Sequence, residues 1–184
     1  MSTLTTDPGF PRGSTLGITN SNTYDAQVGD GSHLLGVHKV FLDTNPATQS
    51  VTTNETVECI AVKNCSGSAL LPKTLVKFKE AATLTQVDAA ANNTHIRVGV
   101  VDEYLPATGV PNNEVFWVVV RGPTTILKTS GSGEAITAGE FVSVATSSDA
   151  GKCLDGTGAK VGIAIEAAGD NATELRVLAK TSAV

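Results

Sequence analysis

Six consecutive apolar residues, Val115-Phe-Trp-Val-Val-Val120, constrain this fold more than any other feature of the chain. A strand with one face in water alternates apolar and polar side chains, because successive residues point to opposite faces. This run does not alternate. Both of its faces must be covered, which places it at the centre of a core rather than at an edge. The dipeptide Gly122-Pro123 then reads as the end of the strand, since Pro lacks the N–H that a ladder needs. The expected core is Phe116, Trp117, Val118, Val119 and Val120 with Phe141, Val161, Ile163 and Ile165, and Trp117 is expected to be buried.

Other strand-competent segments obey the same logic. Val57-Glu-Cys-Ile-Ala-Val62 is rich in β-formers, Asn64-Cys-Ser-Gly67 reads as a turn, and Leu75-Val-Lys-Phe-Lys79 sets Leu75 and Lys77 against Val76 and Phe78. Ile96 to Val101, Thr124 to Lys128, Glu140 to Ala145, Val161 to Glu166 and Glu174 to Ala179 complete the set, each bounded by Gly, Ser, Asn or Asp. Charged residues are only 17%, against about 25% in ordinary domains, and Thr, Ser, Asn and Gly fill the difference. Helix builders are thin. The fold class is therefore expected to be all-β, a barrel or sandwich. The Ala-rich stretch from Glu80 to Asn93 lacks a helical period and reads mostly as loop. In Val98-Gly-Val-Val101 and Val161-Gly-Ile-Ala164 the glycine reads as a place where neighbouring strands approach closely or bulge.

The first 35 residues differ in character. Pro8-Gly9, Pro11-Arg12-Gly13, Asn20-Ser21-Asn22 and Asp30-Gly31 punctuate them, and their apolar residues are spaced for neither helix nor strand. They are expected to form an extended polar arm (1–35) ahead of a β domain (36–184, core strands about 56–180), with residues 1–32 open to protease in the free protein. His33 to Leu42 is apolar enough to be a strand or docking peptide, closed by Asn45-Pro46.

Net charge is −5 and no run of Lys or Arg occurs. Binding to nucleic acid draws on cationic neutralisation of phosphates, so neither nucleic acid nor an anionic membrane is an expected partner. The N-terminus has no basic and apolar regions of a signal peptide, and no window reaches the 18 or so apolar residues of a membrane helix. Without secretion, the acceptor patterns at Asn54, Asn64, Asn92 and Asn171 carry no glycan. Cys59, Cys65 and Cys153 are odd in number, have no metal-ligand spacing, and are expected to be unpaired packing thiols.

No catalytic, cofactor-binding or metal-ligating residue is expected. A Ser-His-Asp set can be assembled on paper from Ser32, His33, His38, Asp30 and Asp43, but it lies in or beside the arm, without a rigid nucleophile turn. His95 reads as a surface or edge residue. Asp102-Glu103, adjacent on a strand, point to opposite faces and read as solvated charges leading into a turn. Asp149, Asp155 and Asp170 are too dispersed for calcium. Thr129-Ser-Gly-Ser-Gly-Glu134 lacks the Lys and following helix of a phosphate loop and reads as a turn.

The segments Val115-Phe-Trp-Val-Val-Val-Arg-Gly-Pro-Thr124, Ala135-Ile-Thr-Ala-Gly-Glu-Phe-Val-Ser-Val-Ala145 and Gly158-Ala-Lys-Val-Gly-Ile-Ala-Ile-Glu166 resemble the C-terminal half of the head-decoration (cement) proteins of tailed bacteriophages. The resemblance is one of pattern, over about residues 56–180. It implies a compact β-barrel or β-tulip-like domain, a homotrimer on the outer capsid surface of the virion, the major capsid protein as partner, and a stabilising role without enzymatic activity or cofactor. A receptor-binding or tail-spike tip module is the alternative reading, and a small β-barrel enzyme the third.

Overall fold

The computed structural model describes residues 10–16, 34–79, 85–95, 97–156 and 158–181. The protein is all-β. Ten strands, β1 (His38–Thr44), β2 (Val51–Asn64), β3 (Leu75–Phe78), β4 (Gln86–Ala90), β5 (Val98–Val101), β6 (Val115–Leu127), β7 (Phe141–Val144), β8 (Cys153–Asp155), β9 (Lys160–Ala164) and β10 (Glu174–Lys180), join in one sheet. Their order is β1-β2-β4-β3-β5-β6-β10-β9-β7-β8. A further β2–β6 pairing closes β2, β4, β3, β5 and β6 into a ring. Strand pairs are antiparallel except β2–β4.

The apolar run lies in β6, and its two faces feed two separate cores. Val115, Trp117 and Val119 join the larger cluster, with Val57, Cys59 and Ala61 of β2, Leu175 and Val177 of β10 and Val142 of β7. Phe116, Val118 and Val120 face the other way. They meet Ile60, Val62, Val76, Phe78, Val87 and Val101, one or two from each remaining strand of the ring, so the smaller cluster fills the ring's interior. A strand serving as the wall between two cores cannot afford a polar residue at either parity, which explains the missing alternation.

β6 does not stop at Gly122-Pro123. It continues to Leu127 and pairs with β10 throughout, Gly122 opposite Ala179 and Pro123 opposite Leu178. The β2 pairing ends at Arg121, so Pro123 falls where β6 keeps a strand partner on one side, the place where a strand tolerates Pro. Gly122 has φ +105°, and a Cβ there would stand 2.3 Å from the backbone oxygen of Thr56. Gly122→Ala is therefore expected to cost at least about 1–3 kcal/mol, through strain and forced separation of β2 from β6. An unchanged denaturation midpoint would contradict this.

The glycines of the paired Val-Gly motifs are indeed spots without room for a side chain. A Cβ at Gly99 would meet Val118 Cγ1 at 2.2 Å, and one at Gly162 the backbone oxygen of Leu178 at 2.5 Å. β9 also carries a bulge: Val142 pairs with Gly162 and Ser143 with Lys160, leaving Val161 as the extra residue. That insertion flips the parity of the residues after it. Val161 and Ala164 are buried, whereas Ile163 and Ile165 are exposed, as is Phe141 opposite Ile163. These three do not belong to the core, contrary to expectation.

Two segments expected to be irregular are ordered. Within the stretch read as loop, Gln86–Ala90 forms β4, pairing with β3 and β2. Part of the expected arm is built into the body: Phe10 and Leu16 are buried, Leu16 N–H donates to Val115 O at 2.9 Å, and Trp117 Nε1–H donates to Phe10 O at 2.9 Å. The Phe10 ring stacks on Trp117 at 4.7 Å, and Phe41 meets the same indole edge-on at 5.3 Å. Residues 10–16 are thus docked rather than free to protease. The rest of that expectation, at 1–9 and 17–33, lies outside the described residues.

Arg12 fixes this segment electrostatically. Its Nε and Nη2 donate to Asp102 Oδ1 at 3.2 and 2.9 Å, while Gly13 N–H donates to Asp102 Oδ2 at 2.7 Å. Asp43 and Glu103 stand 3.6 and 3.9 Å from the guanidinium, which also lies over the Tyr104 ring at 4.9 Å. Arg176 closes the cluster from β10, 2.6 Å from Asp43 and 3.4 Å from Glu103. Asp102 and Glu103 are therefore not solvated turn charges. Asp102 is buried against Arg12, and the Glu103 side chain, 7% exposed, is shared between Arg12 and Arg176.

Candidate functional site

With the interior sealed, the feature that remains to be explained lies on the outer face of the sheet. Two rows of side chains cross the strands in register. Val40 of β1 stands opposite Glu58 of β2, Glu58 opposite Arg121 of β6, and Arg121 opposite Lys180 of β10. One step along β10, Leu178 stands opposite Ile163 of β9, and Ile163 opposite Phe141 of β7. Leu178, Ile163 and Phe141 are 42%, 37% and 50% exposed, and Val40 is 61% exposed. Single exposed apolar residues need no explanation, but a contiguous ladder of them does.

The rows border an open groove of about 650 Å³, floored by Gly122, Gly162 and Ala179 and walled by the two ladders with Asn54, Glu55 and Thr56. Three cations line it, Arg121, Lys160 and Lys180. Lys160 Nζ sits 3.8 Å from the Phe141 ring centroid, in cation–π range. Arg121 and Lys180 face each other directly across β6 and β10, an arrangement of like charges that weakens a strand pair. Among the described residues no carboxylate forms an ion pair with Arg121, Lys160 or Lys180; Glu58 is instead held by His38 Nδ1 at 3.0 Å.

Sequence reasoning missed this face because it took Phe141 and Ile163 as core. A signal did exist at β10. In Glu174-Leu-Arg-Val-Leu-Ala-Lys180 the buried parity is Leu175, Val177 and Ala179, which leaves Leu178 as an apolar residue on the polar side.

Among the described residues the catalytic templates do not assemble. His38 pairs with Glu58, and Asp43 accepts from Arg176 and Thr53, so these two members of the paper Ser-His-Asp set go to different partners. Ser32, His33 and Asp30 lie outside the described residues. His95 closes a local turn, its Nδ1 accepting from Asn92 N–H at 3.0 Å. In the Gly-rich loop Glu134 accepts from Thr129 Oγ1 at 2.7 Å, so the loop is tied by its own acid. Asp149 pairs with Lys152 at 2.8 Å, which holds its carboxyl below the usual range. Among the described residues no group of three or more His, Cys, Asp or Glu is placed to hold a metal ion.

All three cysteines are unpaired; Cys59 and Cys153 are buried and Cys65 half-buried. Burial pushes the thiols of Cys59 and Cys153 up, Cys153 from 9.0 to about 12. A thiol reagent at pH 8 should therefore titrate Cys65 alone in the native protein and all three in denaturant. The stability that neutral Cys153 contributes is fully present below pH 9 and is lost as pH rises through about 12, because the unfolded chain releases that proton first. Rapid labelling of three thiols in native protein would overturn the assignment.

Comparison with protein families finds no match, and comparison with curated proteins finds none either. Among solved structures, the protein is similar to the head fiber gp8.5 N base of bacteriophage phi29, with a TM-score of 0.43 and 16% identity, covering 67% of this chain and 94% of that one. The fold and face themselves define the class: an all-β body with a doubly packed central strand, presenting an apolar and cationic sheet face.

Proposed function

We propose that this chain is a structural protein of a phage virion that decorates the outer surface of the head, binds the major capsid protein and stabilises contacts between its subunits, acting as a homotrimer without catalytic activity. The observation that carries the reading is the exposed Leu178–Ile163–Phe141 ladder, bordered by Arg121, Lys160 and Lys180, which have no ion-pair partner among the described residues. Such a face is kept out of the core at a cost in solubility, and it makes sense where another protein covers it. The resemblance of about residues 56–180 to cement proteins supplies the partner.

Binding that distinguishes an assembled shell from free subunits stabilises the shell by RT ln(1 + [L]/Kd), about 2.7 kcal/mol per site at a hundredfold excess over Kd. Many sites multiply the effect. The test is to strip heads of the phage that encodes this chain, add the purified protein back, and measure copy number and the temperature of genome release. Saturable binding in hundreds of copies with a raised release temperature is expected. Recovery of a few copies at the tail would favour a tail-tip module, and no binding to particles would end the reading.

A further inference from the structure

We infer that the outer face of β6, β10, β9 and β7 receives an acidic and apolar polypeptide segment of the capsid subunit, in which an apolar side chain lies on the Leu178–Ile163–Phe141 ladder and flanking carboxylates meet Arg121, Lys180 and Lys160. This rests on the decoration reading and names the surface and the chemistry of the partner that it requires.

Charge complementarity selects the occupant. The chain carries −5 overall, yet three cations border this apolar ladder, and none has an ion-pair partner among the described residues. Two of them, Arg121 and Lys180, stand directly opposite each other in register. A like-charge pair across two central strands opposes the sheet in the free protein, and one carboxylate placed between them converts that repulsion into two attractions. Arg121 presents a planar fork suited to bidentate carboxylate recognition, whereas Lys180 acts as a point charge. Glu58, opposite Arg121 on β2, is engaged by His38, and among the described residues neither Glu58 nor Glu55 forms an ion pair with these cations.

The apolar component is placed to add affinity. Leu178, Ile163 and Phe141 form an in-register strip on three adjacent strands, and Lys160 lies over the outermost ring. A side chain laid on this strip is desolvated between aliphatic carbons and an aromatic face, with cations at its rim. That is the anatomy of an interface: an apolar centre with a polar border. The groove opens to solvent along the ladder rather than enclosing a cavity, which suits a segment of another chain.

The experiment uses stripped heads as the probe and compares wild type with Arg121→Glu/Lys180→Glu and Leu178→Ser/Ile163→Ser. These side chains are exposed, and circular dichroism and melting of each variant verify an intact fold. Charge reversal is expected to weaken head binding by about tenfold or more, chiefly by slowing association, and to remove most of the salt dependence seen for wild type. The apolar double variant is expected to lose a similar factor through faster dissociation, with salt dependence retained. If wild type binds heads and both folded variants bind equally well, this face is not the interface, although the decoration reading stands. If wild type binds no heads, both readings fall. Variants that bind heads normally but change the oligomeric state would show that a second copy covers the face, which overturns the proposal.

Discussion

Val119→Asp is expected to abolish folding, while Val119→Ala retains the fold at reduced stability. Val119 is fully buried, between Cys59 on β2 and Val100 on β5, in the wall between the two cores. Its neighbours in the larger cluster are apolar; the indole N–H of Trp117 is already given to Phe10 O, and the Cys59 thiol is only a weak donor. Burying an unpaired charge costs several kcal/mol even after relaxation, comparable to the whole stability of about 5–15 kcal/mol of a typical domain. The alanine variant loses two methyl groups and leaves a small void, which costs about 1–3 kcal/mol. Together they separate a missing contact from an intolerable charge. Circular dichroism and gel filtration of the aspartate variant, beside urea unfolding of the alanine variant, measure both. A folded aspartate variant with the wild-type midpoint would mean that β6 is not the central strand.

How far the sequence carries depends on how local the relevant physics is. The uninterrupted run at 115–120 announced a doubly covered strand, because covering both faces forces every residue to be apolar. Strands with side chains suited to a pleat were legible too, as at Val57–Val62 and Glu174–Lys180. Parity was not legible where a bulge intervened. A single extra residue, Val161, turned Ile163 and Ile165 outwards, and no residue type at that position signals it. β4 was missed because Gln86-Val-Asp-Ala-Ala90 owes its strand to pairing on both sides rather than to propensity. Pro123 misled because its meaning depends on where the β2–β6 pairing ends, a fact about another strand.

The candidate face was hidden for the same reason. Arg121, Lys180 and Leu178 look like ordinary surface residues one at a time, and only the β2-β6-β10-β9-β7 register brings them into rows. The arm shows the opposite failure. Phe10, Arg12 and Leu16 are too far apart in a Pro- and Gly-rich segment to suggest order, yet each finds a long-range partner, Arg12 reaching Asp102 across 90 positions. Composition tests whether a segment can bury itself. It cannot test whether a groove elsewhere in the chain accepts it.

Arg12→Met is expected to lower stability by about 3–5 kcal/mol, the cost of removing one partner from a buried ion pair. In a domain of this size that corresponds to a fall in Tm of roughly 10 °C. Burial by itself pulls the Arg12 pKa down, but Asp102 chiefly, with Glu103 beyond it, outweighs burial, and the guanidinium ends above its ordinary value. It therefore stays charged at every workable pH. Its loss leaves Asp43, Asp102 and Glu103, with side chains 0%, 1% and 7% exposed, and only Arg176 as a cation, which reaches Asp43 and Glu103. Three carboxylates against one cation are an uncompensated charge in a dry site, and Asp102 keeps no side-chain donor from the arm. Adding Asp102→Asn removes one of those charges, so the double variant should be less destabilised than the sum of the two singles. Lower pH should act in the same direction. An uncompensated buried carboxylate takes up a proton more readily than one in water, so the native state of Arg12→Met binds protons that its unfolded state does not, and its deficit relative to wild type shrinks as pH falls. Urea unfolding at pH 7.5 and pH 5, followed through Trp117, measures both effects, because the Phe10 ring and carbonyl that Arg12 holds in place lie against that indole. A deficit below about 0.5 kcal/mol, or one that grows on acidification, would show that the clasp does not anchor the N-terminal segment.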